Sequence, residues 1–240
     1  MLRSLLGVGG NTNYADPFAA DTAQTLEALG RFIARAWERA GGSAGRGFRN
    51  AGFRKYALWA QGLRRSYVEL VESRFAAEFF ASRLSAGKHV HELTPDERLD
   101  YDRYIYFDKN AYIRIFAILD KLGSLMNEML RLRTERVKPR FSYFTVLRNM
   151  RYNRLHPELA CRLGVVKDRH RDAMDRLRTR RNMEIHYMNA ELYDDVRYTT
   201  LWEKEPLEDL KANLADLDEG YAMVSHSLRH AIAYLMKQMD

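Results

Sequence analysis

The sequence predicts an all-α protein. Three observations carry that prediction. Apolar residues recur at three- and four-residue spacing through most of the 240 positions. Helix-capping signals open several of these runs. Alternating runs bounded by turns, the mark of strands, are scarce. With 46% hydrophobic and 30% charged residues and five prolines, the composition suits one large domain, or a domain of about 150 residues plus an extension.

Residues 1–15 read as a flexible leader. The first helix is expected to open with Asp16 as its N-cap and Pro17 at its first position. Leu26, Leu29, Phe32, Ile33 and Trp37 follow at helical spacing. The stretch GGSAGRGFRNAG, residues 41–52, reads as a basic, Gly-rich linker. No strand precedes its glycines and no Gly-Lys-Ser/Thr closes them, so it lacks the context of a phosphate loop. A second helix spans Arg54 to Ser85, with residues 16–90 forming an N-terminal helical region and 91–240 a separate C-terminal bundle.

The third helix starts at Thr94, Pro95 and Glu97, which supply an N-cap, a first-turn proline and a capping-box acid, and runs to about Arg133. Ile105, Tyr112, Ile115, Leu119, Leu122, Met126 and Met129 form its apolar stripe. Beside the stripe lie Asp120, Gly123, Ser124 and Asn127. A glycine inside a helix costs stability, so a close helix approach is expected at Gly123. A short helix at 142–150 and a turn at RLHPE follow. A helix from Pro157 then carries Leu159, Leu163, Val166, His170, Ala173 and Leu177 and leads directly into residues 178–189, RTRRNMEIHYMN. The stretch YDDVRYTTLWEKEP is irregular, with a short extended piece at Val196–Thr200. The last helix starts at Pro206, and its stripe from Leu207 to Leu235 suits a bundle core or a dimer seam. The number of other helices favours the core.

The formal net charge is +7, which favours an anionic partner such as nucleic acid. One cysteine, Cys161, allows no disulfide within the chain and reads as a packed residue in ELACRLGVV. No run approaches the roughly 20 apolar residues of a membrane helix, and the first ten residues lack the pattern of a secretory signal, so a cytoplasmic protein is expected.

Arg181, Asn182 and His186 form an R-N-x-x-x-H pattern. The spacing alone carries no weight, since Arg151 and His156 repeat it in RYNRLH. Context separates the two. His156 precedes Pro157, which biases it towards an extended turn, whereas the 181–186 pattern ends a long amphipathic helix.

RNMEIH resembles the signature of HEPN domains, a superfamily of helical bundles, and FDKNAYIRIFAILDKLGSLMNEML at 107–130 resembles an upstream helix of its bacterial ribonuclease and toxin-like branch. The resemblance spans roughly residues 95–237. It implies an antiparallel bundle that cleaves RNA without a metal or cofactor, at the interface of two protomers. His186 would then be the acid or base, because imidazole titrates near neutral pH. Arg181 would stabilise charge on the transferring phosphoryl group, and Asn182 would hold either neighbour or the RNA. On an ideal helix Arg181 and His186 lie about 140° apart, while Asn182 and His186 share a face. Completion across a homodimer axis, or a bend near Asn189, would be needed. The resemblance further implies a role in phage defence or a toxin–antitoxin pair, with an antitoxin or defence-system protein as a further partner. Some HEPN toxins have a tyrosine two residues after the histidine, modified by a partner nucleotidyltransferase. Here Met188 stands at that place and Tyr187 one residue earlier, so that modification does not carry over.

Two other readings stay open: a non-catalytic HEPN bundle that binds RNA, nucleotide or protein, and a plain helical interaction protein whose 178–189 segment is a solvated helix end. His226 and His230 have metal-chelating spacing, but no glutamate or cysteine pair supports them. His89 and His91 lack an evident third ligand, and His170 reads as a core histidine.

Overall fold

In the computed structural model, residue 6 and residues 16–41, 48–84, 90–186 and 209–239 are described; for 48–50, His91 and His186 the description covers the backbone alone. The described residues form seven α-helices and no strand: α1 (Ala19–Arg39), α2 (Phe48–Ala81), α3 (Pro95–Met129), α4 (Tyr143–Tyr152), α5 (Pro157–Arg169), α6 (Arg171–His186) and α7 (Leu210–Lys237). The all-α class is therefore the observed one.

Two compact units make up the chain. Among the described residues, one is drawn from 69–114 and 171–221 and the other from 16–68, 115–170 and 222–239.

In the first unit, the end of α2 and the start of α3 meet through stacked Phe80 and Phe107, with centroids 5.8 Å apart. Arg83 Nε donates to Asp100 Oδ2 at 2.5 Å. Arg74 of α2, almost fully buried, donates to Asp218 of α7 at 2.9 Å and lies over the ring of Tyr221. In the second unit, Tyr67 and Ser225 hydroxyls are 2.9 Å apart, and the buried Tyr143 hydroxyl donates to Ser227. These are buried polar groups satisfied by one another, which a core requires. Leu217, Tyr221, Val224, Leu228, Ala231 and Leu235 of α7 are all buried, so its stripe is bundle core.

Local chemistry explains most boundaries. Thr94 and Glu97 form the expected capping box: Glu97 N–H donates to Thr94 Oγ1, and Thr94 N–H donates to Glu97 Oε2. Ser142 and Thr145 form a second one at the start of α4. The close approach at Gly123 is also observed. A Cβ there would sit 2.9 Å from Tyr143 Cα. The neighbouring polar strip receives the connection that follows α3: Asp120 accepts from Tyr143 N–H, and Asn127 accepts from Thr134 N–H.

Several expectations are corrected. Asp16 does not cap α1; it accepts from Phe18 N–H in a turn ahead of the helix, Phe18 is the N-cap, and Pro17 precedes the helix. α2 begins at Phe48, inside the expected linker; Gly41, with φ 74°, closes the end of α1. α3 ends at Met129 through a left-handed Arg131. The helix expected to run on from Pro157 is two helices, broken at His170, whose ψ of 16° leaves the helical range. α7 starts at Leu210, where Asp209 accepts from Ala212 N–H. Cys161 is exposed, on the outer side of α5. The leader apart from residue 6, His89, Tyr187 to Asn189, the Val196–Thr200 piece, Pro206 and Leu207 lie outside the described residues.

Candidate functional site

α6 carries the pattern at its C-terminal end. Its inward stripe is Ala173 and Leu177, both buried, continued at the same helical spacing by Arg180 and Glu184. The apolar stripe thus becomes an ionic one as the helix reaches the motif. Arg180 donates through Nη2 to Asp108 Oδ2 of α3, and its guanidinium lies 4.9 Å above the Tyr112 ring. The Asp108 side chain is 2% exposed and that of Arg180 21%. One turn on, Lys109 Nζ stands 2.9 Å from Glu184 Oε2. Earlier on α6, Arg176 forms a forked contact with Asp216 of α7, through Nε to both carboxylate oxygens and Nη2 to Oδ1. The helix is therefore pinned in rotation and register on both sides.

Arg181 and Asn182 are half-buried beside this seam, and His186 is the last residue of α6. All three sit on one continuous helix, so the 100° step per residue separates Arg181 from His186 about its axis. Met183 and Ile185, exposed by about half, alternate with them.

The look-alike pair has a different setting. Arg151 is exposed on α4. His156 adopts φ 44° and ψ 60°, not the extended conformation expected before proline. Its Nδ1 lies 2.9 Å from the Tyr234 hydroxyl, and its ring meets that ring edge-on. That tertiary contact overrides the local preference and gives His156 a structural task.

His170 is buried, as expected of a core histidine, with its ring 6.0 Å from that of His226. Burial is the main cause that holds His226 and His230 below the usual imidazole range, and Arg229 adds to it at both. Among the described residues no cluster of three or more metal-ligating side chains occurs. No helix among them is long and apolar enough to cross a membrane.

Sequence reasoning missed Asp108, Lys109, Arg180 and Glu184. A signal existed: Asp108 precedes Tyr112 and Ile115 by four and seven residues, in phase with the apolar stripe. A carboxylate at an apolar phase needs a buried cationic or hydrogen-bonding partner.

A family model, that of Cthe2314-like HEPN domains, matches residues 59–236. That span covers well over half of the chain and begins within α2. No curated protein and no solved structure matches.

Proposed function

Because the chain belongs to the Cthe2314-like HEPN family, we propose that it is a metal-independent endoribonuclease with Arg181, Asn182 and His186 as its catalytic residues. The observation that carries this reading is the ionic seam under the motif. Asp108 and Lys109 take Arg180 and Glu184, so the helix bearing Arg181, Asn182 and His186 is held in one register. A site needs such support, because small displacements of reacting groups cost large factors in rate.

The reaction uses what RNA itself supplies. A base removes the 2′-hydroxyl proton, the 2′ oxygen attacks the adjacent phosphorus, and the bond to the 5′ oxygen breaks as an acid protonates it. His186 acts as base or acid. Arg181 donates to the non-bridging oxygens where charge develops, and Asn182 positions its neighbours or the substrate. The products carry 2′,3′-cyclic phosphate and 5′-hydroxyl ends.

The active form is a homodimer that brings two motif helices to one cleft. Exposed Met183 and Ile185 on α6, with exposed Leu99 and Tyr106 on α3, supply apolar surface for it. A role in phage defence or a toxin–antitoxin pair, with a protein antitoxin or defence partner, completes the reading.

The test is end-labelled RNA incubated with the purified protein in EDTA, with product ends identified by phosphatase and kinase treatment. Cyclic or 3′-phosphate ends in EDTA support the mechanism. Products with 5′-phosphates that require magnesium overturn it.

A further inference from the structure

The charge of this chain is concentrated. Residues 131–154 are one tenth of the sequence and hold eight of its 39 basic residues but one of its 32 acidic ones, Glu135. Their balance equals the net charge of the whole chain, +7, and the remaining nine tenths sum to zero.

All eight cations, Arg131, Arg133, Arg136, Lys138, Arg140, Arg148, Arg151 and Arg154, are exposed. None makes an ion pair with a described residue, whereas Arg74, Arg83, Arg176 and Arg180 elsewhere all do. Glu135 is engaged by the Asn127 side-chain amide, which donates to it at 2.9 Å.

The segment is held rather than loose. After α3 it forms a 3-10 turn at Thr134–Arg136, then α4. The buried Asn149 of α4 donates to both Leu132 O and Thr134 Oγ1, at 3.0 Å each, and ties the turn to the helix. Asp120 and Asn127 of α3 fix the backbone at Tyr143 and Thr134. On α4, Arg148, Arg151 and Tyr152 follow at three- and four-residue spacing, so they share the outward face. Tyr152 is 86% exposed, the most open of the large apolar and aromatic side chains among the described residues.

The backbone adds an independent sign. Of the four positive-φ residues other than glycine among the described residues, three lie here, Arg131, Arg133 and Arg154, and the fourth, His156, follows two positions on. Two of them end helices in the same way. Leu132 N–H donates to Asn127 O and Arg131 N–H to Glu128 O; Leu155 N–H donates to Met150 O and Arg154 N–H to Arg151 O. These are Schellman closures, whose left-handed position glycine fills with least strain. Here arginine fills both. Helix-dipole complementation accounts for cations at these two ends, but not for Arg136, Lys138, Arg140 and Arg148, which lie away from them.

We infer that the surface of residues 131–154 binds the phosphate backbone of single-stranded RNA, with Tyr152 as a platform on which a base stacks. Unneutralised, preorganised arginines suit phosphate oxygens, and an exposed aromatic among them suits an unpaired base. This inference deepens the RNA-cleaving reading by naming a substrate-holding surface and rests on that reading.

The experiment uses the full chain with His186→Ala, so that binding is read without cleavage. Anisotropy of a labelled single-stranded 20-mer RNA is followed across a potassium chloride series. Each phosphate contact contributes about 0.7 to the slope of log affinity on log salt. Replacing Arg133, Arg136, Arg148 and Arg151 with glutamine should lower that slope by about 3 and weaken binding about 100-fold at 0.15 M salt. Neutralising Arg31, Arg35, Lys211 and Lys237 instead removes equal charge elsewhere and should change affinity by less than about fivefold. Arg131→Gly with Arg154→Gly should raise or keep the melting temperature yet weaken binding about tenfold. Tyr152→Ala should weaken single-stranded RNA about tenfold and leave duplex RNA unchanged. The inference is overturned if both four-site variants lose affinity equally, if neither does, if Tyr152→Ala leaves single-stranded binding unchanged, or if the protein binds anionic phosphatidylserine vesicles and not RNA. A parent chain that binds RNA through this surface yet does not cleave it would instead count against the catalytic reading alone.

Discussion

Arg180, the residue before Arg181, places its guanidinium against the buried Asp108 carboxylate and over the face of Tyr112. Two adjacent arginines therefore have separate tasks. One holds the helix in place, and the other lies half-buried beside the seam.

That division predicts unequal stability effects. Arg180→Ala strands a carboxylate that is 2% exposed, and removing one partner of a buried pair costs about 3–5 kcal/mol. Arg180 is itself about a fifth exposed, which places the expected loss near the lower end. Arg181→Ala should change stability by no more than about 1 kcal/mol. Urea melts of the two variants decide it, and equal losses would contradict the assignment.

Gly123 and Gly164 make a second matched pair. Both are helical, but a Cβ on Gly123 meets the Tyr143 backbone at 2.9 Å, while one on Gly164 meets nothing within 4 Å. Gly164→Ala should stabilise by up to about 1 kcal/mol through helix propensity. Gly123→Ala gains the same propensity but must separate α3 from the start of α4, at an overpacking cost of about 1–3 kcal/mol. A net loss at 123 and a gain at 164, read by thermal melts, are the expected results.

The folded state holds His226 and His230 below the ordinary imidazole value. Above about pH 7 both are neutral whether or not the chain is folded, and they add nothing to the pH dependence. As pH falls through about 6.5, the unfolded chain takes up protons that the folded chain resists, so stability drops. The melting temperature should be flat from pH 7 to 8 and decline towards pH 5.5. Replacing both histidines with glutamine should flatten that decline.

The parts of the fold written in local chemistry were legible. The Thr94–Glu97 capping box, the α7 core stripe and the close approach at Gly123 each follow from residues a few positions apart or from one costly residue type. The breaks were not. α2 starts at Phe48 among glycines, and the helix from Pro157 stops at His170 despite an unbroken apolar stripe, where the buried His170 ring meets that of His226, a tertiary contact that local spacing does not show. His156 took a left-handed conformation for the same reason: its contact with Tyr234 spans 78 positions. At the candidate site the motif was visible as a pattern, but its support was not. Asp108 and Arg180 are 72 positions apart, and only the phase of Asp108 hinted at the pair. The cationic segment at 131–154 was fully present in the sequence and needed only charge summed along the chain.

The central claim, that Arg181 and His186 cleave RNA, is tested most directly by initial cleavage rates in EDTA for four single alanine variants. His186→Ala and Arg181→Ala should each lose about 10²- to 10⁴-fold in rate with helical content intact. His156→Ala should lose about 1 kcal/mol of stability with its Tyr234 hydrogen bond, yet cleave at close to the parent rate. Arg151→Ala should lose at most a few-fold, through weaker RNA binding that saturating RNA restores. Cleavage that depends on Arg151 and His156 at saturating RNA while ignoring Arg181 and His186, or that ignores all four, would contradict the account.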